Sequence, residues 1–265
     1  MKSGGLVMQG RALLIGNWKM NKTVEGSAGH ARTLIRALED WWDPKLVQVV
    51  LAPTALAIAA VGRILAGTDI AVAGQNLELG TEGALTGGIS GYLLYEAGAR
   101  WVIVGHSERR QHFAEDDALI TEKVKAAWQA GLNAVVCIGE TEAERNQGAT
   151  ERVVRQQLNL LLAGPLKGGL TIAYEPVWAI GSGRVPEPEE VAEIAAIIHG
   201  EVGARWPEAE NRVAVLYGGS VNAKNLGGFL NQADVGGALI GGASLAAGEM
   251  AAMVRAAQQE GPRAR

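Results

Sequence analysis

Eight short apolar runs recur along this chain: Ala12–Ile15, Val47–Ala52, Ile70–Ala73, Trp101–Val104, Ala134–Ile138, Leu170–Ala173, Val213–Leu216 and Ala238–Ile240. None alternates polar with apolar residues. A strand with one wet face shows a period of two, whereas a continuously apolar strand must be covered on both faces, as in a parallel sheet flanked by helices. Segments with helical spacing of apolar residues lie between the runs, at Thr121–Ala130, Ala149–Leu162, Pro188–Gly200 and Leu245–Ala257, rich in Ala, Leu, Glu and Arg. Thr54–Ala66, Gly91–Ala99 and Val221–Leu230 fill further helix slots. The order is strand then helix throughout, which predicts about eight β–α units.

Periodicity does not separate a closed barrel from an open doubly wound sheet, because both alternate strand and helix. The position of the unusual residues does: almost all lie just after a strand, spread over at least five strands rather than gathered at one switch point. The expected fold is therefore α/β, a single-domain (β/α)₈ barrel over residues 11–258. Residues 1–10 are expected to form a loosely ordered N-terminal extension and 259–265 a C-terminal tail. A length of 265 residues suits one such barrel.

Charge and motif content narrow the function. The formal net charge is −4 and no basic block appears, so the electrostatic footprint of nucleic-acid or anionic-membrane binding is missing. Any anionic ligand needs a local site. No G-x-G-x-x-G follows the first strand and no G-x-x-x-x-G-K-[ST] occurs, which removes the main support for nucleotide binding. His30, His106, His112 and His199 lack H-x-x-x-H spacing or clustered cysteine partners, so no metal or other cofactor is expected. Cys137 is the only cysteine, which fits a reducing compartment, and no paired histidine accompanies it, so a packed thiol is expected. The N-terminal stretch has no apolar run of signal-peptide or membrane-span length, and the expected location is cytoplasmic.

Candidate chemistry sits at the strand ends. After the first strand, Asn17 and Lys19 stand two apart and project to one side if strand geometry persists; a surface lysine would read the same way. After the fourth comes GHSERR, where His106 near a helix N-terminus would have its cationic form disfavoured by the helix dipole, although a lone histidine is also commonly structural. After the sixth comes Glu175, followed by Pro176 and the apolar stretch Val177, Trp178, Ala179 and Ile180, with Gly181 and Gly183 as pivots. That is the composition of a lid able to strip water from a carboxylate; a rigid connection with a packed Trp is the plainer alternative. YGGS, Tyr217 to Ser220, follows the seventh strand and IGGAS, with Gly241 and Gly242, the eighth. Glycine pairs there let bare N–H groups approach an anion, the phosphate arrangement of such barrels. A base, a neutral electrophile, a cation and a phosphate cradle together suggest proton movement beside a carbonyl on a small phosphorylated substrate.

NWKMN, GHSERR, CIGET, AYEPVWAIGSG, YGGSVN and IGGASL, in this order and across nearly the whole chain, resemble the triosephosphate isomerase family. The resemblance implies that Glu175 moves a proton between the two carbons of dihydroxyacetone phosphate or glyceraldehyde 3-phosphate, through an enediolate, in glycolysis and gluconeogenesis. It implies that His106 and Asn17 hydrogen-bond the enediolate oxygens, that Lys19 supplies positive charge, and that Glu108 and Ser107 support these groups from behind. Gly181, Ser220, Gly241 and Gly242 would give N–H groups to the phosphate. The neutral histidine, glutamate base and closing loop are that enzyme's known features, carried over by resemblance. The family also implies a homodimer, in which the loop at residues 75–90 reaches the neighbouring active site with Thr86 at its tip.

Four positions depart from the family pattern. Leu85 replaces an aromatic residue, and Gly88 replaces a glutamate that would pair with an arginine across the interface. Pro186 stands where the family offers an N–H to the hydroxyl of Tyr217 in the closed lid, and proline has none. Gly236 stands where an acid is common. Two other functions compete with an isomerase. An aldolase or lyase on the same scaffold would need a mid-strand lysine or a metal set, and a catalytically silent phosphate-binding barrel would have lost Glu175, His106 or Lys19; all three are present.

Overall fold

The computed structural model describes residues 11–261. The expected extension at residues 1–10, and the tail from residue 262 onward, lie outside the described residues. Eight parallel strands close on themselves in sequence order: β1 (Ala12–Asn17), β2 (Val47–Ala52), β3 (Ala71–Gly74), β4 (Trp101–Val104), β5 (Asn133–Ile138), β6 (Leu170–Tyr174), β7 (Ala214–Tyr217) and β8 (Gly237–Ile240). Pairing of Leu13–Gly16 on β1 with Gly237–Ile240 on β8 completes the barrel expected from the sequence.

Why the runs do not alternate is visible in how their side chains divide. Leu13, Ile15, Val50, Ala52, Ile103, Val135, Cys137, Ala173, Leu216 and Leu239 fill the barrel interior. Their neighbours Ala12, Leu14, Val49, Leu51, Val102, Val104, Ala134 and Val136 join the layer under the helices. Both faces are dry, so both are apolar.

The helices are α1 (Val24–Leu38), α2 (Ile58–Leu65), α3 (Gly91–Glu96), α4 (Ser107–Phe113), α5 (Asp117–Gln129), α6 (Glu142–Asn146), α7 (Thr150–Leu162), α8 (Pro188–Arg205), α9 (Leu226–Leu230) and α10 (Ala247–Glu260). Three have no counterpart in the periodicity analysis. Helix α1 starts at Thr23, whose hydroxyl accepts the Gly26 N–H at 3.1 Å, but its buried face includes Ser27, Ala28, His30 and Ala31, too small and polar to read as an apolar stripe. Helix α4 buries only Ser107, and α6, held by a Thr141–Glu144 capping box, buries nothing. Helix α10 runs to Glu260, two residues past the boundary expected at 258, and the Glu260 carboxylate accepts the Asn231 side-chain N–H at 3.2 Å.

Candidate active site

The strand ends converge on a cavity of about 300 Å³ lined by Asn17, Lys19, His106, Glu175, Ile180, Gly181, Gly218, Gly219, Ser220, Gly241 and Gly242, among others. Residues from five strand–loop junctions, those of β1, β4, β6, β7 and β8, thus meet in one place, as their spread along the sequence requires of a barrel.

Glu175 directly follows β6 and is 2% exposed. Its Oε1 lies 3.1 Å from His106 Nε2, and its Oε2 accepts the Ser107 main-chain N–H at 3.1 Å. His106 caps α4: its Nδ1 accepts the Glu108 N–H at 3.2 Å. An accepting Nδ1 carries no proton, so the ring proton sits on Nε2 and points at the carboxylate. Ser107 acts here through its backbone. Gly218 makes room for the acid, since a Cβ there would stand 2.7 Å from Glu175 Cγ.

Asn17 is the last residue of β1, and the strand geometry does not persist to Lys19, which adopts φ of 50°. The two side chains share the cavity because the Asn17 side-chain oxygen accepts the Lys19 N–H at 3.0 Å within this turn. The Lys19 carbonyl is held by the Gln75 side-chain amide at 2.9 Å, a contact that no local pattern announces. Lys19 Nζ pairs with Glu108 at 2.6 Å. Burial raises the Glu108 pKa, but the hydrogen bond and charge of Lys19 outweigh it, with His106 acting in the same direction, and the carboxyl lies below its ordinary value.

The residues expected to form a lid follow as a short turn at Val177–Ala179. Glu140, the acid of CIGET, anchors them: fully buried, it accepts from Tyr174 Oη at 3.0 Å and from Trp178 Nε1 at 2.8 Å, and its carbonyl accepts the Val177 N–H at 3.0 Å. Burial raises its pKa, opposed by those two side-chain donors. The CIGET motif by itself gives Glu140 no role; an acid at the end of an apolar strand is the signal that marks it. Arg145 stacks on the Trp178 ring with its guanidinium carbon 4.2 Å from the centroid. Ser220 Oγ donates to the Ala179 carbonyl at 2.7 Å, which ties the lid to the loop after β7. Gly181 and Gly183 adopt φ of 66° and 77°, backbone that suits glycine.

The family model for triosephosphate isomerase matches residues 12–257. The chain belongs to the triosephosphate isomerase family. The triosephosphate isomerase of Acidithiobacillus ferrooxidans is 44% identical over 256 residues, covering 94% of this chain and 97% of the relative. That of Xanthobacter autotrophicus is 44% identical over 247 residues, with 93% and 96% covered. The crystal structure of triosephosphate isomerase from Bartonella henselae superposes with a TM-score of 0.84 at 39% identity, over 93% of this chain and 98% of that one.

Within this triosephosphate isomerase fold, Thr86 stands apart from the cavity, exposed near the tip of the 75–90 loop. A second cavity of about 420 Å³ adjoins the first, sharing Asn17, Lys19 and His106, and is walled by Met20, Gln75, Gly87, Arg109 and Phe113. Gly88 folds back on Leu85, with its N–H on the Leu85 carbonyl at 3.0 Å and a hypothetical Cβ only 2.9 Å from Leu85 Cδ2. Arg109 is occupied within its own chain by Glu115 at 2.6 Å. Pro186 is buried, and the Tyr217 hydroxyl is buried beside the Ser220 backbone. Nothing in the structure explains Gly236. Cys137 is buried, and burial, followed by the charge of Glu175, pushes its thiol pKa well up, consistent with a packed group.

Proposed function

We propose that Glu175 is the base and His106 the electrophile in the family reaction, the interconversion of dihydroxyacetone phosphate and glyceraldehyde 3-phosphate, a step of glycolysis. One observation carries the reading: a carboxylate 3.1 Å from the Nε2 of a histidine whose Nδ1 accepts a main-chain N–H. Glu175 takes the C–H proton from one carbon, leaving an enediolate, and returns it to the neighbouring carbon, while the hydroxyl proton passes from one oxygen to the other beside His106. The His106 Nε2–H, together with the Asn17 side chain, hydrogen-bonds the oxygens on which negative charge develops. Lys19 balances that charge and the phosphate dianion, and Glu108 and Ser107 hold the reacting groups. The N–H groups of Gly181, Ser220, Gly241 and Gly242 bind the phosphate. Pro176, Val177, Trp178, Ala179 and Ile180 close over the enediolate and exclude the water that would favour phosphate elimination.

The test is glyceraldehyde 3-phosphate isomerisation with wild type and Glu175→Asp, which keeps the charge and shortens its reach. The expected result is a fast wild type and a variant slower by roughly 10²-fold or more. An inactive wild type would favour a silent phosphate-binding barrel.

The assembly is read as a homodimer in which the 75–90 loop of one copy, with Thr86, fills the second cavity of the other. Exposed Met20 and Phe113, which wall that cavity, and exposed Leu85 on the loop support it, since exposed apolar side chains favour burial. A monomeric mass by sedimentation at micromolar concentration would overturn this. The barrel is read as one catalytic domain and its location as cytoplasmic; no described helix is long and apolar enough to cross a membrane. Fractionation of the source cells tests the location, and limited proteolysis that releases a stably folded fragment would count against a single domain.

A further inference from the structure

We propose that Lys22 is a positioning residue for phosphate recognition: its bond to the Leu245 carbonyl straps the loop after β1 to the loop after β8 and sets the distance between Lys19 and the glycine N–H groups. This rests on the isomerase reading of the site and adds a residue outside the cavity lining.

Lys22 Nζ donates to Leu245 O at 2.8 Å, joining positions 223 residues apart. Each end of this strap lies within a few residues of the cavity. Upstream, Trp18 stands between Asn17 and Lys19 and is fully buried, with the Lys22 ammonium 5.6 Å from its ring centroid. Downstream, Leu245 ends the turn Gly242–Leu245, which is closed by the Ser244 N–H on the Gly241 carbonyl at 3.0 Å. A displacement of Leu245 therefore moves Gly241 and Gly242 with it.

The two loops also touch directly. A Cβ placed on Gly241 would lie 3.7 Å from Lys19 Cε, so the lysine stem runs along the phosphate glycines. Beneath them, a Cβ on Gly16 would meet Ser244 Cβ at 3.0 Å. With so little slack, the relative placement of the two loops determines how the Lys19 ammonium and the glycine N–H groups share one phosphate.

Lys22 reaches its partner from a left-handed backbone, φ 71°, as does Lys19 at 50°. Non-glycine residues hold that conformation only where surrounding contacts impose it. Lys22 itself is held by the Leu245 carbonyl and the Trp18 face. A charged donor on a carbonyl is a strong bond of its class and able to supply that restraint.

Lys22→Met keeps the stem and removes the donor, whereas Lys22→Arg keeps a charged donor. Inorganic phosphate, titrated as a competitive inhibitor and by calorimetry, is the probe. For Lys22→Met the inhibition constant for phosphate and the KM for glyceraldehyde 3-phosphate should rise about three- to tenfold, as expected for loss of part of one charged hydrogen bond. Turnover of phosphate-free D-glyceraldehyde should stay within about twofold, because the base and electrophile are untouched. Lys22→Arg should recover most of the phosphate affinity. Unchanged phosphate affinity in Lys22→Met, or an equal fall in D-glyceraldehyde turnover, overturns the proposal. If wild type lacks isomerase activity, the functional reading fails on its own, and calorimetry with phosphate still decides the strap.

Discussion

His30 gives a quantitative test of how α1 packs behind the catalytic loop. It is 8% exposed and meets the Trp18 ring edge-on with centroids 4.7 Å apart. Burial, followed by the charge of Lys22, depresses its pKa from 6.5 to about 4 against a smaller opposing contribution from the Leu245 backbone. A histidine depressed in the fold is neutral there while the unfolded chain takes up a proton. Its contribution is therefore complete above pH 6.5 and is lost as pH falls toward 4. At ~1.4 kcal/mol per pKa unit the full effect is about 3 kcal/mol, and about 2 kcal/mol is lost by pH 5. Urea unfolding of wild type and His30→Leu at pH 7.5 and pH 5, at one protein concentration, isolates it, because every other titrating group is common to both. Wild type should lose about 2 kcal/mol more than the variant between the two pH values. Equal losses would refute the reasoning, as would a His30 proton resonance titrating near 6.5.

Gly218→Ala should cut kcat by roughly 10²-fold with the fold retained by circular dichroism, because the new Cβ would press on Glu175 Cγ from 2.7 Å and displace the base; unchanged kcat would mean the carboxylate reacts from another position. The missing Pro186 N–H predicts a weakened closed-lid latch, and Pro186→Ala restores an N–H for the buried Tyr217 hydroxyl to use there. Slower lid opening and less inorganic phosphate released per turnover are expected, and no change in either would remove the weakened latch as an account of Pro186.

The barrel was legible because its cause is local. A strand dry on both faces must be apolar throughout, and β1, β2, β4 and β5 carry that signature in four to six residues each. The residues that meet in the cavity were legible for a related reason: Glu175, His106, Lys19 and the glycine pairs are unusual residue types placed immediately after apolar runs. Helix α1 was not legible, since its inner face uses Ser27 and His30 where an apolar stripe would be sought.

What tertiary structure alone decided are the contacts between distant loops. Lys19 looked like a strand continuation and instead sits in a left-handed turn, held by Gln75 from the end of β3. Glu140 gained its role only when β5 and β6 became neighbours and brought Tyr174 and Trp178 to its carboxylate. The Lys22–Leu245 bond exists because barrel closure sets β8 beside β1. Residue type and order determine which strands and acids exist, because burial and backbone preference act over a few residues. Which atoms face each other across a closed barrel depends on the register of all eight strands at once, and no short stretch of sequence contains it.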